Sequence, residues 1–247
     1  MNSYSITNML NLLVLEKSLI IYGANASIVT AIACAVVQLL APFQWEGVFV
    51  PLVPFAAMEI LQAPVPFIVG TVHLPRKSEI SSSAAILYLD ELLATDLHHR
   101  QNSYKYLYIP EISVKMPLDQ NLRLIIDRTN KQLSRKLPLD MKEMQLSVFL
   151  NLTSYERRII HDTVKTIEAH NTFLCSDVAE VDGWRKYGTY DASTGEYEFY
   201  PQWFMDHQRS ILDFQEGVVK TQLFMSYMDR LRLEYIEKNC QRYHVYV

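Results

Sequence analysis

A chain of 247 residues with 49% hydrophobic and 20% charged side chains lies in the ordinary globular range, enough for one large domain or two small ones. Its 23 basic and 27 acidic residues give a net charge of −4, and no block of five like charges occurs, which excludes a binder held to nucleic acid by bulk electrostatics. The three cysteines, Cys34, Cys175 and Cys240, are far apart and form no C-x-x-C, which excludes a disulfide scaffold or a cysteine-rich zinc module and favours a reducing compartment.

Charge is unevenly placed: Glu16, Lys17, Glu46 and Glu59 are the only charged residues before position 70, so the first third must be mostly buried. Helical periodicity covers 4–15, 27–40 and 55–62. The apolar run from Ile28 to Ala41 is broken by Thr30 and Gln38 and is shorter than the ~20 residues of a membrane span. It reads as a core helix, with Asn25 and Ser27 as N-cap candidates and Pro42 as its stop. Between the helices lie strand candidates: Ser18 to Tyr22 before Gly23, Gly47 to Val50 before Pro51, Phe67 to Val69 before Gly70, and Ala84 to Leu89 before Asp90. Their continuous apolar character predicts a sheet covered on both faces.

Beyond residue 115 the pattern is helical. Asp119 precedes a stripe of Leu122, Ile125, Ile126, Thr129 and Leu133. Thr153 to Glu156 is a capping box ahead of Ile159, Ile160, Val164 and Ile167. A last stripe carries Phe224, Tyr227, Met228, Leu231 and Tyr235. The stretch 182–203, rich in tyrosine and punctuated by Gly183, Gly188 and Gly195, reads either as a hairpin about 187–200 or as a mobile insertion. The predicted architecture is an α/β lobe, a central sheet flanked by helices, over 1–115, followed by a mainly α-helical lobe over 116–247 with the tyrosine-rich insertion inside it.

The residues that carry covalent chemistry do not form a site. His98 and His99 are adjacent and cannot face one ion from one helix surface, and no H-E-x-x-H, P-loop, G-x-S-x-G or G-x-G-x-x-G occurs. Cys34 falls in the apolar helix and is expected to be a buried, inert thiol. Asp90 and Glu91 are neighbours and point in different directions, a poor acid/base pair. The expected catalytic, cofactor-binding and metal sets are therefore empty. The tracts Tyr104 to Tyr108 and Trp184 to Tyr187 read as half-buried aromatics beside basic residues, not as a stacking platform.

Five of the ten prolines fall in residues 41–70. They lie in Pro42-Phe43-Gln44-Trp45, in Val48 to Pro54 with Pro51 and Pro54, and in Ala63-Pro64-Val65-Pro66-Phe67 running on to Gly70. Each proline fixes its own φ and restricts the residue before it, so these blocks pin the exits of buried strands. Their succession resembles the central subdomain of the DENN domain. The likeness extends upstream through Leu15 to Ile21 and downstream through Leu87 to Asp90. Near the C-terminus, Val219 to Arg230, with Thr221-Gln222 and spaced aromatics, looks like a helix of the family's downstream subdomain, departing from it at Val219 and Asp229.

That resemblance implies a fold and a function. Pro42, Phe43, Trp45, Pro51, Pro54, Pro64, Pro66 and Gly70 would be fold determinants, with Trp45 largely buried between Pro42 and Pro51. The chain would be a guanine-nucleotide exchange factor, or part of one, for a Rab-type GTPase in membrane trafficking, stabilising the nucleotide-free GTPase by differential binding and needing no cofactor. The alternative it implies is a non-catalytic scaffold or dimerisation module in a GTPase-regulating complex. Only about 15 residues precede the first strand, so the family's upstream longin lobe is expected to come from a partner or a missing segment. Asp90 and Glu91, at the end of the fourth strand, are the expected GTPase contacts. The expected location is the cytoplasm, reaching endomembranes only through partners.

Overall fold

A computed structural model of the chain describes residues 3–89, 103–104, 107–108, 120–133, 152–173, 183–191, 193–194, 196–203 and 213–243. Helix α1 (Ser3–Val14) opens the fold and is buried on every side: Met9, Leu10, Leu12 and Leu13 are excluded from solvent, and so are Ser5, Thr7, Asn8 and Asn11. A helix enclosed all round must satisfy its polar side chains internally. Thr7 does so by donating its hydroxyl to the Ser3 carbonyl at 2.8 Å.

The chain then builds β1 (Leu19–Tyr22), α2 (Ala26–Gln38), β2 (Val48–Val50), a 3-10 segment (Phe55–Gln62), β3 (Phe67–Thr71) and β4 (Ala85–Tyr88). Two short strands, β5 (Ser103–Tyr104) and β6 (Leu107–Tyr108), complete a sheet of order β2-β3-β1-β4-β6-β5. The first four strands run parallel, with β6 and β5 antiparallel at the far edge. Period-2 alternation splits the inner strands between two cores. Leu19, Ile21, Ile68, Ala85 and Leu87 face α1 and α2, whereas Ile20, Tyr22, Phe67, Val69, Ile86 and Tyr88 face the 3-10 segment. Burial on both faces explains why these strands read as unbroken apolar runs. The exception is β2, an edge strand whose Phe49 is 37% exposed.

Two close approaches show why the proline blocks have their spelling. A Cβ on Gly70 would stand 2.1 Å from the Pro51 carbonyl oxygen and 2.7 Å from the Val29 side chain, so the chain leaving β2 can cross the end of β3 only over a glycine. Val53 then donates its amide to the Gly70 carbonyl at 2.8 Å. A Cβ on Gly47 would stand 2.5 Å from the Pro66 carbonyl oxygen, which accepts the Val48 amide at 2.9 Å. The second block thus closes on the third at both ends of β2.

Two sequence expectations are corrected here. Residues 55–62 form not an α-helix but a 3-10 segment with non-helical angles at Ala57, following the extended Pro54. Cys34 is exposed, not buried. The buried face of α2 is Ile28, Val29, Ala33 and Val36, and Cys34 turns with Ala31 and Ala35 to the opposite side. Uniform apolar composition concealed which face was which. At the start of α2, Asn25 Oδ1 accepts the Ser27 and Ile28 amides at 3.0 and 3.3 Å, as a cap does.

The remaining described residues are mainly helical: α3 (Gln120–Leu133), α4 (Ser154–Phe173), the short α5 (Gly183–Lys186), α6 (Asp213–Val219) and α7 (Gln222–Tyr243). They follow the sheet and its helices in the order the sequence pattern predicts, although a hairpin, β7 (Gly188–Asp191) with β8 (Glu196–Phe199), interrupts them. The expected boundary at 115/116 lies outside the described residues. Thr153 and Glu156 make their capping box: the Glu156 amide donates to Thr153 Oγ1, and Glu156 Oε2 accepts the Thr153 amide at 2.7 Å. Helix α4 departs from its predicted stripe, because Val164 is exposed while Glu156, His170 and Asn171 are buried with Ile167.

One apolar core joins all these parts. Met9 and Leu13 of α1, Val29 of α2, Ile68 of the sheet, Leu122 of α3, Ile167 of α4, Phe199 of the hairpin, Phe214 of α6 and Phe224 of α7 belong to a single buried cluster. Each fully buried side chain of this size contributes about 1.5–3 kcal/mol relative to exposure.

Candidate partner interface

The Pro42-Phe43-Gln44-Trp45 block lies on α7, where polar and apolar contacts hold it together. Phe43, 5% exposed, meets the Tyr227 ring edge-on with centroids 5.3 Å apart. The Arg230 guanidinium donates to the Pro42 carbonyl and stands 5.2 Å from the Tyr227 ring centre. From α4, Asn171 Nδ2 donates to the Leu39 and Ala41 carbonyls, both at 2.9 Å. Trp45 is only partly buried; it packs against the main core, and its Nε1 donates to the Val48 carbonyl at 3.2 Å.

Helix α7 starts where its Thr-Gln pair requires. Phe224 donates its amide to Thr221 Oγ1 at 3.2 Å, so Thr221 serves as the N-cap. The next free amides, of Gln222 and Leu223, are taken by Glu16, whose two carboxylate oxygens accept them at 3.0 and 2.7 Å. Glu16 reaches them from a left-handed backbone, φ 53°, in the turn after α1. A carboxylate at a helix N-terminus satisfies orphan donors and meets the positive end of the helix dipole.

Beside this junction lies an open depression of about 260 Å³ lined by Gln44, Glu46, Ser226, Tyr227, Asp229, Arg230 and Leu233. Asp229 meets Arg232 at 3.7 Å, and Arg232 stands 5.9 Å from the Tyr190 ring centre of the hairpin. The phenol of Tyr197 is pushed up beyond its ordinary range by burial first and by the Asp229 charge second, with Arg232 acting the other way.

A second surface forms where β2 and β3 leave the sheet. Leu52 and Leu74 are 37% and 46% exposed, and Phe55 is 73% exposed, its ring edge-on to His73 with centroids 5.2 Å apart. The carboxyl ends of parallel strands are where such sheets present their loops to ligands, and a largely exposed phenylalanine offers apolar area to a partner. Asp90 and Glu91 lie outside the described residues. Leu89, just before them, is buried against Gly23 at the same end of the sheet and donates its amide to the Tyr22 carbonyl at 2.9 Å.

The proline blocks play different parts. The Pro42 and Pro66 carbonyls accept hydrogen bonds, Pro51 crosses Gly70, and Phe43 is core. Pro54 and Pro64 are exposed; both fix φ at their turns, and the Pro54 carbonyl also accepts the Ala57 amide at 2.9 Å. Sequence reading missed the long-range partners: Glu16, Asn171 and the bond from Arg230 to Pro42. Among the described residues no group of three or more His, Cys, Asp or Glu side chains could hold a metal ion.

Residues 1–99 match the DENN (AEX-3) domain. This stretch is similar to a DENN domain. Curated relatives agree: the chain is 29% identical over 125 residues to DENN domain-containing protein 2B of Homo sapiens, covering 50% of this chain and 10% of that protein. Against DENN domain-containing protein 2B of Mus musculus it is 34% identical over 77 residues, covering 30% and 7%. Against DENN domain-containing protein 2A of Homo sapiens it is 33% identical over 88 residues, covering 34% and 8%. The matched stretches thus span a tenth or less of these relatives. No helix among the described residues is long and apolar enough to cross a membrane.

Proposed function

We propose that this chain serves a Rab-type GTPase as a guanine-nucleotide exchange factor, or as part of one. The observation that carries the reading is the DENN-like segment at residues 1–99, built from the proline blocks whose close approaches fix the sheet. Exchange of this kind is differential binding: the factor holds the nucleotide-free GTPase more tightly than the loaded one. The apolar surface at Leu52, Phe55 and Leu74 supports the reading as a place for such contact. Asp90 and Glu91, which follow Leu89 in the sequence, are the proposed polar contacts.

Release of fluorescent GDP from a panel of Rab GTPases tests this. The chain, alone or with a longin lobe supplied in trans, is expected to accelerate release from at least one Rab. A well-folded Phe55→Ala variant should lose most of that acceleration. No acceleration from any Rab in either arm would favour the scaffold reading, in which the same surface holds a partner without exchange.

A further inference from the structure

We propose that the depression between the Pro42–Trp45 loop and α7 is a seat for one basic side chain, arginine or lysine, projecting from a protein partner; where that partner is a GTPase the inference rests on the function proposed above. At about 260 Å³ the depression falls below the range of small-molecule sites and suits a single long side chain. Its apolar contribution comes from Tyr227 and from Leu233, which is 51% exposed. Arginine and lysine lay their stems along such surface while the charged head stays near water.

The charges favour a cation. Glu46 is exposed and has no ion-pair partner among the described residues, and it lines the depression with Asp229. Asp229 has Arg232 at 3.7 Å but keeps 57% of its side chain exposed. The only cation in the lining, Arg230, is already committed: it donates to the Pro42 carbonyl, covers Tyr227 and has Glu234 at 4.0 Å. Glu234 and Asp229 thus each have an arginine beside them, and Glu46 has none among the described residues. An anionic or neutral occupant would leave it unpaired.

The test is NMR of the full chain titrated with N-acetyl-arginine amide and with the neutral isostere N-acetyl-citrulline amide. The arginine probe should shift the Leu233 methyl and Ser226 amide signals and bind about fivefold more tightly than citrulline, the upper end of what an exposed ion pair supplies. Glu46→Gln, an exposed change that spares the fold, should erase the difference. Equal binding of the two probes, or no shift at Leu233, would overturn the seat. The same variant separates this inference from the functional one: if a Rab is found that binds and Glu46→Gln leaves its affinity and salt dependence unchanged, the seat is wrong and the function stands. If arginine binds as expected and no Rab is engaged, the seat stands and the function is wrong.

Discussion

The sheet region and the helical region are held by different forces. In the sheet, backbone meets backbone at contact distance, Pro51 over Gly70 and Pro66 beside Gly47, and these contacts between the second and third proline blocks lie within residues 47–70. The helical segments are tied to the sheet by side chains from far away in sequence: Glu16 to the start of α7, Asn171 to the Leu39 and Ala41 carbonyls, Arg230 to the Pro42 carbonyl. The stretch similar to a DENN domain, residues 1–99, is therefore not the whole of the packed unit, because its main core is completed by Phe214, Phe224 and Tyr227.

The sharpest way to break the comparison is to empty the shared core. Phe224, fully buried in the main core against the hairpin's Phe199, should cost about 3–5 kcal/mol on truncation to alanine, and β1 and β3 should lose stability with α7. Urea denaturation read by circular dichroism measures the loss. Next comes Gly70→Ala, whose added methyl meets a carbonyl oxygen that cannot swing away; about 3 kcal/mol is expected, the upper part of the overpacking range, with no matching cost at a surface glycine. Glu16→Ala removes a carboxylate from two α7 amides and should cost about 1–2 kcal/mol, visible as faster hydrogen exchange at Gln222 and Leu223 before the sheet is affected. The smallest effect belongs to Cys34→Ser, within about 0.5 kcal/mol, since the thiol stands on the exposed face of α2; a loss above about 2 kcal/mol would restore the buried reading.

The same comparison explains what sequence could tell. Strands β1, β3 and β4 were legible because burial on both faces leaves only apolar residues, and the proline blocks were legible because φ restriction and close approach tolerate few alternatives. The Thr153 capping box was legible because its partners are three residues apart. Which way Cys34 faced was not, since both faces of α2 around it carry small or apolar residues and periodicity needs contrast. Nor were the clasps: Glu16 lies 207 residues from Leu223 and Arg230 lies 188 from Pro42, and nothing local marks an ordinary surface-type residue as a long-range partner. Nor did the sequence mark Phe55, first residue of the 55–62 segment, as 73% exposed.

Helix α7 and the sheet share one core and should open together. Native-state hydrogen exchange on the full chain measures this directly, through the amides of Ile20 and Val69 in the sheet and of Tyr227 and Met228 in α7. Equal opening free energies for the two sets, falling together in Phe224→Ala, are the predicted result. Rapid exchange throughout α7 beside a fully protected sheet would contradict it.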